Sequence, residues 1–315
     1  MNISLNGLNP ERILLTGATG FIGSHINKLL EFRCVAGTRD TLCDVINSKQ
    51  VSLSELLESE DYKKLFGSTS VIIHLANLAH SRNYDPDELK TVNVDNTLEL
   101  ARRAVKSNVK RFVYVSSIAV NGKAKPNTSF NHLSSVCPNT DYARSKHEAE
   151  LGLFQIAKET GLEVVIVRSA LVYGADAPAN ICSLIKLIKK SPILPFGSVS
   201  NKRDFISIQN LSDLLLVCAS HPNALNQIFL ASDCKPVSIK DFTNAISQSL
   251  GKSLIQLPVP VSFMRFTARL LGRSSLAEQL LGDLQIDSSN TQEVLGWVPP
   301  CTMEQAMSSL SERIK

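Results

Sequence analysis

The stretch Ile13-Leu-Leu-Thr-Gly-Ala-Thr-Gly-Phe-Ile-Gly-Ser-His25 decides how the rest of the chain is read. Its first residues are apolar, as in a strand buried on both faces. Beyond the glycines, Phe21, Ile22, Ile26, Leu29 and Leu30 recur at helical spacing. Between the two runs, Gly17, Gly20 and Gly23 stand three residues apart. A strand, a glycine turn and a helix in that order open a βαβ unit that holds phosphate. On this reading Gly17 permits the tight turn, Gly20 lets a pyrophosphate approach the backbone, and Gly23 lets helix and strand pack closely. The helix N-terminus then offers its free N–H groups to the phosphates. The spacing differs from G-x-G-x-x-G, so by itself it does not separate a dinucleotide site from a glycine turn in any α/β protein.

Outward from this turn, strand-like and helix-like runs alternate. Cys34–Thr38 predicts a second short strand, Val71–Leu75 a buried one, and Arg111–Ser117 and Leu162–Val167 two more. Leu89–Ala104 and Asp141–Lys158 have helical spacing. Strands separated by such helices need right-handed crossovers and a mostly parallel sheet. The expected fold is therefore α/β, a doubly wound parallel sheet of Rossmann type. Thr41–Ser54 is polar and resists placement. Nine of the 13 prolines fall after residue 175, and the segments between them are short. The expected organisation is a dinucleotide-binding domain over 1–174 and a smaller substrate lobe over 175–315, some of whose segments return to the sheet. Ligands of an open parallel sheet bind beyond the carboxyl ends of its strands. Those ends are Thr16–Gly23, Arg39, His74–Asn77, Ser116–Ser117 and Ser169.

Composition narrows the function. The 315 residues are 43% apolar and 20% charged, with a net charge of +4, an ordinary soluble balance. No Lys/Arg block marks a nucleic-acid surface. Seven cysteines are scattered without a C-x-x-C pair, which fits reduced thiols in a cytoplasm and no zinc or other metal site. No signal peptide is evident at the N-terminus, and no apolar run is long enough to span a bilayer. The least polar late segment, Val259–Leu271, carries Arg265 and Arg269. It reads as a core helix or at most a surface-associated one.

The chemistry centres on the strand that ends in Ser116-Ser117. Tyr142-Ala-Arg-Ser-Lys146 begins 25 residues after Ser117. Positions i and i+4 share a helical face, so Lys146 would hold its ammonium near the Tyr142 phenol. That would draw the phenol from its usual pKa of about 10 toward neutrality, where it exchanges protons. Ser117 would hydrogen-bond the same substrate oxygen. Alone, Y-x-x-x-K is a common exposed pair. Behind a glycine-rich βαβ start and a serine-ended strand, Ser117, Tyr142 and Lys146 read as a catalytic set. His74 reads as a packed histidine lining the cofactor pocket, not as a base.

Together, T-G-A-T-G-F-I-G at 16–23, H-L-A at 74–76, V-S-S at 115–117 and Y-x-x-x-K at 142–146 resemble the extended short-chain dehydrogenase/reductase superfamily. The likeness runs nearly end to end. Val167–Gly174 is similar to its R-P-x-x-V-Y-G segment, with Ser169 in place of the usual proline. Arg203–Leu211 resembles the R-D-[FY]-[IV]-x-V-x-D-L segment of nucleotide-sugar enzymes, and Leu295–Pro299 the terminal L-G-[WY]-x-P. The resemblance implies a nicotinamide cofactor held by Gly17, Thr19, Gly20, Phe21, Ile22, Gly23, Leu75, Ala76, Tyr142 and Lys146. It implies that Arg203 binds the diphosphate of a UDP- or dTDP-linked hexose and that Asn180 lies near the diphosphate and sugar. Asn93 corresponds to an asparagine that helps to hold the active site, often through water. Homodimers built on a four-helix face are common in the superfamily.

Three reactions compete within it. Hexose 4,6-dehydratases carry Thr-Asp-Glu where this chain has Ser117-Ile118-Ala119. Ile and Ala exchange no protons, so dehydration is disfavoured. Reduction of a 4-keto sugar and 4-epimerisation both need only the Ser–Tyr–Lys set and a nicotinamide. Cofactor choice separates them, because an acidic residue after the second strand bonds the ribose of NAD whereas an arginine accommodates the 2′-phosphate of NADP. Arg39 falls nearest that position, with Asp40 next, which favours NADP(H) over NAD(H). The resulting reading is a 4-ketoreductase of N-acetylated 6-deoxyhexoses for surface polysaccharides such as O-antigen, with an NAD-dependent 4-epimerase as the alternative. A silent cofactor-binding module is disfavoured because Tyr142 and Lys146 are both present.

Overall fold

The apolar run ahead of the glycines is the strand Ile13–Thr16 (β1), every residue of it buried. The computed structural model describes residues 13–30, 35–37, 42–44, 49–51, 53–79, 84–124 and 128–312. Among these, seven further strands join β1: Val35–Gly37 (β2), Leu42–Asp44 (β3), Lys49–Val51 (β4), Val71–His74 (β5), Arg111–Ser117 (β6), Glu163–Ser169 (β7) and Gln227–Ala231 (β8). Their hydrogen-bonded order is β8-β7-β6-β5-β1-β2-β3-β4. Pairing is parallel from β8 through β2 and antiparallel from β2 to β4. The stretch that resisted placement thus supplies the last two strands at one end of the sheet and leads into the helix Leu53–Glu58. Each of those strands has 3 residues, too few for a period-2 pattern to show.

The faces of the sheet separate by residue parity, as alternating Cβ directions require. Ile13, Leu15, Ile73, Val113, Val115, Val165 and Val167 belong to one apolar cluster. Leu14, Ile72, Phe112, Tyr114, Val164 and Ile166 belong to another. The helices Phe21–Leu29 and Ile208–Ser220 cover the first face through Ile26, Leu211, Leu214 and Leu215. Asn96–Lys106 and Asp141–Thr160 cover the second through Leu100, Ala104, Ala149, Leu153 and Ile156. The sheet is doubly wound, as expected.

From β1 the chain moves to one side for β2, then crosses back to place β5 on the other side of β1. The gap between the ends of β1 and β5, level at Thr16 and His74, is therefore the topological switch point where such sheets bind ligands. A third apolar cluster includes Tyr173, Ile185, Leu194, Phe205, Phe242, Ile246 and Met307. Within it the Phe205 and Phe242 rings stack at 4.1 Å. Among the described residues no helix is long and apolar enough to cross a membrane.

Candidate active site

The three glycines serve different purposes. Gly17 has φ +69°, and a Cβ there would stand 2.8 Å from the Ala76 amide nitrogen. A Cβ on Gly23 would fall 2.1 Å from the Gly17 carbonyl oxygen and 2.6 Å from the Ala18 Cα. Both glycines are demanded by the packing of turn against strand and helix. Gly20 is not, since its Cβ would meet only the Gly17 oxygen, at 3.1 Å. It lines a cleft and caps the helix Phe21–Leu29 without a side-chain hydrogen bond. Bare N–H groups beside a position kept free of a side chain suit a diphosphate, so this turn fits a dinucleotide.

The cleft has a volume of about 1990 Å³. Pockets for a single drug-sized ligand reach about 1,000 Å³, so a dinucleotide and a second ligand have room together. Gly17, Thr19, Gly20, Phe21, Ile22 and Gly23 line it after β1, and Leu75 and Ala76 after β5. Ser117 enters from the end of β6 and Tyr142 from the first turn of the helix Asp141–Thr160. Asn180 and Arg203 line it as well. Lys146 is not among the lining residues. Arg39 lies outside the described residues, and with it the NADP(H) preference.

The helix that carries Tyr142 is set firmly. Thr140 caps it by accepting from the Ala143 N–H at 3.1 Å, and Gly161 ends it in the left-handed region. Lys146 is buried, with its Nζ 4.4 Å from the centre of the Tyr114 ring. Burial lowers the Lys146 pKa to about 7, against the pull of the Glu150 carboxylate, which raises it. Burial raises the Tyr142 phenol to about 12. The expectation that Lys146 brings the phenol toward neutrality is therefore not met in the protein alone. Desolvation wins at both groups and favours their neutral forms. The Ser117 Oγ accepts from the Ala119 N–H at 3.2 Å, which leaves its O–H to donate to an oxygen in the cleft.

Beneath this turn lies a buried ion pair that the sequence analysis passed over. Arg168 on β7 donates from Nε to Glu150 Oε1 at 3.0 Å and from Nη2 to Oε2 at 2.6 Å. Ser116 Oγ donates to Glu150 Oε1 at 2.5 Å, and Arg168 Nη1 to Asn121 Oδ1 at 3.2 Å. The network pins the helix to β6 and β7 one turn past Lys146. Two signals were present: a carboxylate four residues beyond Lys146, and an arginine inside an apolar strand, where a buried charge must find a partner.

Asn93 holds the same helix directly. It sits in a π-helical turn, Lys90–Asp95, a distortion common at functional sites. Its Oδ1 accepts from the Leu78 N–H at 2.8 Å, and its Nδ2 donates to the Leu78 carbonyl at 3.2 Å and to Ser145 Oγ at 3.1 Å. Ser145 in turn donates to the Tyr142 carbonyl at 2.9 Å.

His74 is packed, as expected, but it does not line the cleft. Thr97 Oγ1 gives its proton to the Asn93 carbonyl at 2.9 Å, so His74 Nε2, at 3.0 Å, must donate to Thr97. Nδ1 then accepts from Thr16 Oγ1 at 2.7 Å. That neutral tautomer agrees with a pKa pushed down to about 3 by burial, with the Lys146 charge adding to the effect. Thr16 Oγ1 also accepts from the Leu75 and Ala76 N–H groups at 3.2 and 3.3 Å. His74 thus locks the ends of β1 and β5 beside the cleft.

Arg203 donates from Nη1 to the Gly282 carbonyl at 3.3 Å, while its buried Nε has no hydrogen-bond partner. Burial lowers its pKa to about 10, opposed by the charge of Asp283, so it remains a cation at neutral pH. Asn180 is exposed and donates to Gln279 Oε1 at 3.0 Å. Among the described residues no group of three or more His, Cys, Asp or Glu side chains is placed to hold a metal ion.

The chain is 38% identical to UDP-glucose 4-epimerase of Vibrio cholerae over 96% of this chain and 95% of that protein. Its fold is similar to that of UDP-glucuronic acid 4-epimerase from Bacillus cereus in complex with NAD, with a TM-score of 0.74, 20% identity, and 96% of each chain covered. It is also similar to RMD from Pseudomonas aeruginosa complexed with NADPH, with a TM-score of 0.73, 19% identity, and 96% of this chain and 98% of that one covered. The sequence pattern of the NAD dependent epimerase/dehydratase family matches residues 13–230, from β1 through β8. Because that match takes in both the glycine turn and Arg203 on the walls of one cleft, the chain belongs to the NAD dependent epimerase/dehydratase family.

Proposed function

We propose that this protein is a nicotinamide-dependent 4-epimerase of a UDP-linked hexose. The observation that carries the reading is the shared cleft, in which the glycine turn, the Ser117–Tyr142 pair and the under-bonded Arg203 guanidinium all open onto one space. A bound nicotinamide would supply a hydride acceptor and donor at the sugar C4. The Gly17–Gly23 turn holds its diphosphate, with Leu75 and Ala76 packed beside it. As the phenolate, Tyr142 would take the proton of the C4 hydroxyl and return it, and Ser117 donates a hydrogen bond to the same oxygen. Lys146 stabilises the phenolate when charged, and Glu150 favours that charge against burial. Arg203 anchors the diphosphate, with Asn180 nearby, and leaves the sugar free to present either face.

Dehydration gains no support from the site. Ile118 is buried in the core and Ala119 faces the cleft, and neither exchanges a proton. Reduction of a 4-keto-6-deoxyhexose for surface polysaccharide is the second reading, favoured by Arg39 and NADP(H). It ranked first on sequence alone. The order turns round because the relative aligned over 96% of the chain is named a UDP-glucose 4-epimerase.

The test is proton NMR of UDP-glucose, UDP-galactose and their N-acetylated forms, incubated with the purified protein without added cofactor. Interconversion of one pair of 4-epimers is expected. Absence of interconversion, together with oxidation of one NADPH per 4-keto sugar in a second incubation that contains both, would overturn this reading in favour of the reductase. Bound nicotinamide without turnover of any of these sugars would leave a binding module.

A further inference from the structure

The helix Val261–Leu270 is apolar in two opposite directions. Val261, Met264 and Ala268 pack against the third apolar cluster. Phe263, Phe266 and Leu270 repeat the same i, i+3, i+7 spacing on the other side and are 57%, 56% and 71% exposed. A surface helix of a soluble protein turns its polar side to solvent there. The apolar surface continues beyond the helix. Leu271 is exposed after it, Ile255 and Leu257 before it, and so is Ile193, which pairs with Ile255 in a two-stranded ribbon. Among the described residues, six of 13 exposed large hydrophobic side chains fall within residues 255–271, so they form a patch and not a scatter.

The charge around the patch is mainly basic. Residues 242–277 contain Lys252, Arg265, Arg269 and Arg273 and no Asp or Glu. Residues 177–201 contain Lys186, Lys189 and Lys190, again without Asp or Glu. Lys252 Nζ donates to the Lys189 carbonyl at 2.6 Å, so the two segments meet. Glu278, which pairs with Arg265 at 3.1 Å, lies just past the first segment. The whole chain has a net charge of only +4, so its basic character is concentrated here.

We propose that this face docks on an anionic lipid bilayer, with Phe263, Phe266, Leu270 and Leu271 entering the headgroup boundary and the surrounding Lys and Arg side chains contacting lipid phosphates. A second copy of the chain fits less well. A two-fold interface sets a patch against itself and would press these basic segments together. Arg265, Ser274 and Glu278 also line the cleft, so docking holds the edge of the cleft at the membrane surface. The proposal does not depend on which sugar reaction the cleft performs.

The test is sedimentation of the full-length protein with vesicles of phosphatidylcholine alone or with about a third phosphatidylglycerol. Binding to the anionic vesicles is expected, at least about tenfold weaker to the neutral ones and in high salt. Phe263→Ser/Phe266→Ser/Leu270→Ser should lose binding while thermal unfolding and turnover of a soluble sugar nucleotide stay as in the wild type. Arg269→Glu/Arg273→Glu should lose it too, which covers the case of a misfolded triple variant. Wild-type protein that stays in the supernatant with anionic vesicles would overturn the proposal, as would either variant binding like the wild type. A dimer in the ultracentrifuge that the triple substitution converts to monomer, without vesicle binding, would assign the face to a second copy instead.

Discussion

Lys146 is a side chain on which burial and chemistry pull in opposite directions. Its pKa of about 7 in the folded protein lies below the value of about 10.4 for a free lysine. Between those values the unfolded chain holds the extra proton, so stability rises with pH across that window. The burial penalty is complete below about pH 7 and fades as the solution approaches the unfolded pKa. Lys146→Met should therefore unfold at a higher temperature than the wild type at mildly acidic pH, with the gap narrowing toward pH 10. A series of thermal melts checks this, and a gap that stays constant would mean that the lysine is not held near neutrality. Part of the penalty is offset by the Tyr114 ring beneath the ammonium. On the proposed mechanism the charge of Lys146 supports the Tyr142 phenolate, so the same variant should be inactive. Tyr142→Phe should lower kcat by about 10²–10⁴-fold, the range for loss of a proton-transfer group, with nicotinamide affinity in titration little changed. Turnover near the wild-type level would remove Tyr142 from the mechanism.

The turn after β1 shows how one motif divides between folding and binding. Gly23→Ala puts a methyl into backbone atoms that cannot retreat, and should cost about 1–3 kcal/mol of stability, as overpacking does. Gly20 has φ −70°, open to any residue, and only a 3.1 Å contact for an added Cβ. Gly20→Ala should thus leave the unfolding midpoint nearly unchanged while raising the nicotinamide Kd about tenfold or more. Calorimetry and titration on the two variants separate the roles, and equal losses of stability would contradict the division. This turn was legible because its glycine spacing and flanking periodicities are local. So were β5, β6 and the Asp141–Thr160 helix, whose apolar patterns follow directly from burial. The short strands β3 and β4 were not legible, because three residues carry no period and their pairing is the only sign of them. Nor was the Glu150–Arg168 pair, which joins a helix to a strand and shows in sequence only as two isolated charges. The neutral state of His74 depends on Thr16, Thr97 and Asn93, which lie far apart in the chain and meet only in the fold.

The cleft exists because the chain crosses its own sheet repeatedly and returns with the segments that close it. Phe205–Ser207 pairs in parallel with Leu171–Tyr173, and Tyr173 Oη donates to Asp233 Oδ2 at 2.8 Å. Asp233 Oδ1 accepts from the Ser207 N–H and from Asn210 Nδ2 at 3.1 and 2.7 Å. The same asparagine donates to the Cys301 carbonyl at 2.9 Å, so the late segments are tied to one another beyond the end of β8. Arg203 stands in this frame through its backbone, exchanging hydrogen bonds with Val237 at 3.0 and 2.9 Å. Its side chain is free of that duty, with Nε buried and unbonded. An anion in the cleft would satisfy it. Arg203→Ala leaves the backbone ladder intact, and loss of the bond to the Gly282 carbonyl is offset by removal of a desolvated cation, so the free protein should unfold within about 1 kcal/mol of the wild type. Hydrogen bonds to a charged group contribute about 1.5–3 kcal/mol, which corresponds to a KM for the sugar nucleotide raised about 10- to 150-fold. If the arginine holds the diphosphate equally in the ground and transition states, kcat should change by no more than about twofold. Steady-state kinetics, with UDP-induced thermal stabilisation as the binding check, decide the matter. A fall in kcat at unchanged KM would place Arg203 at the reacting sugar instead of at the remote anchor.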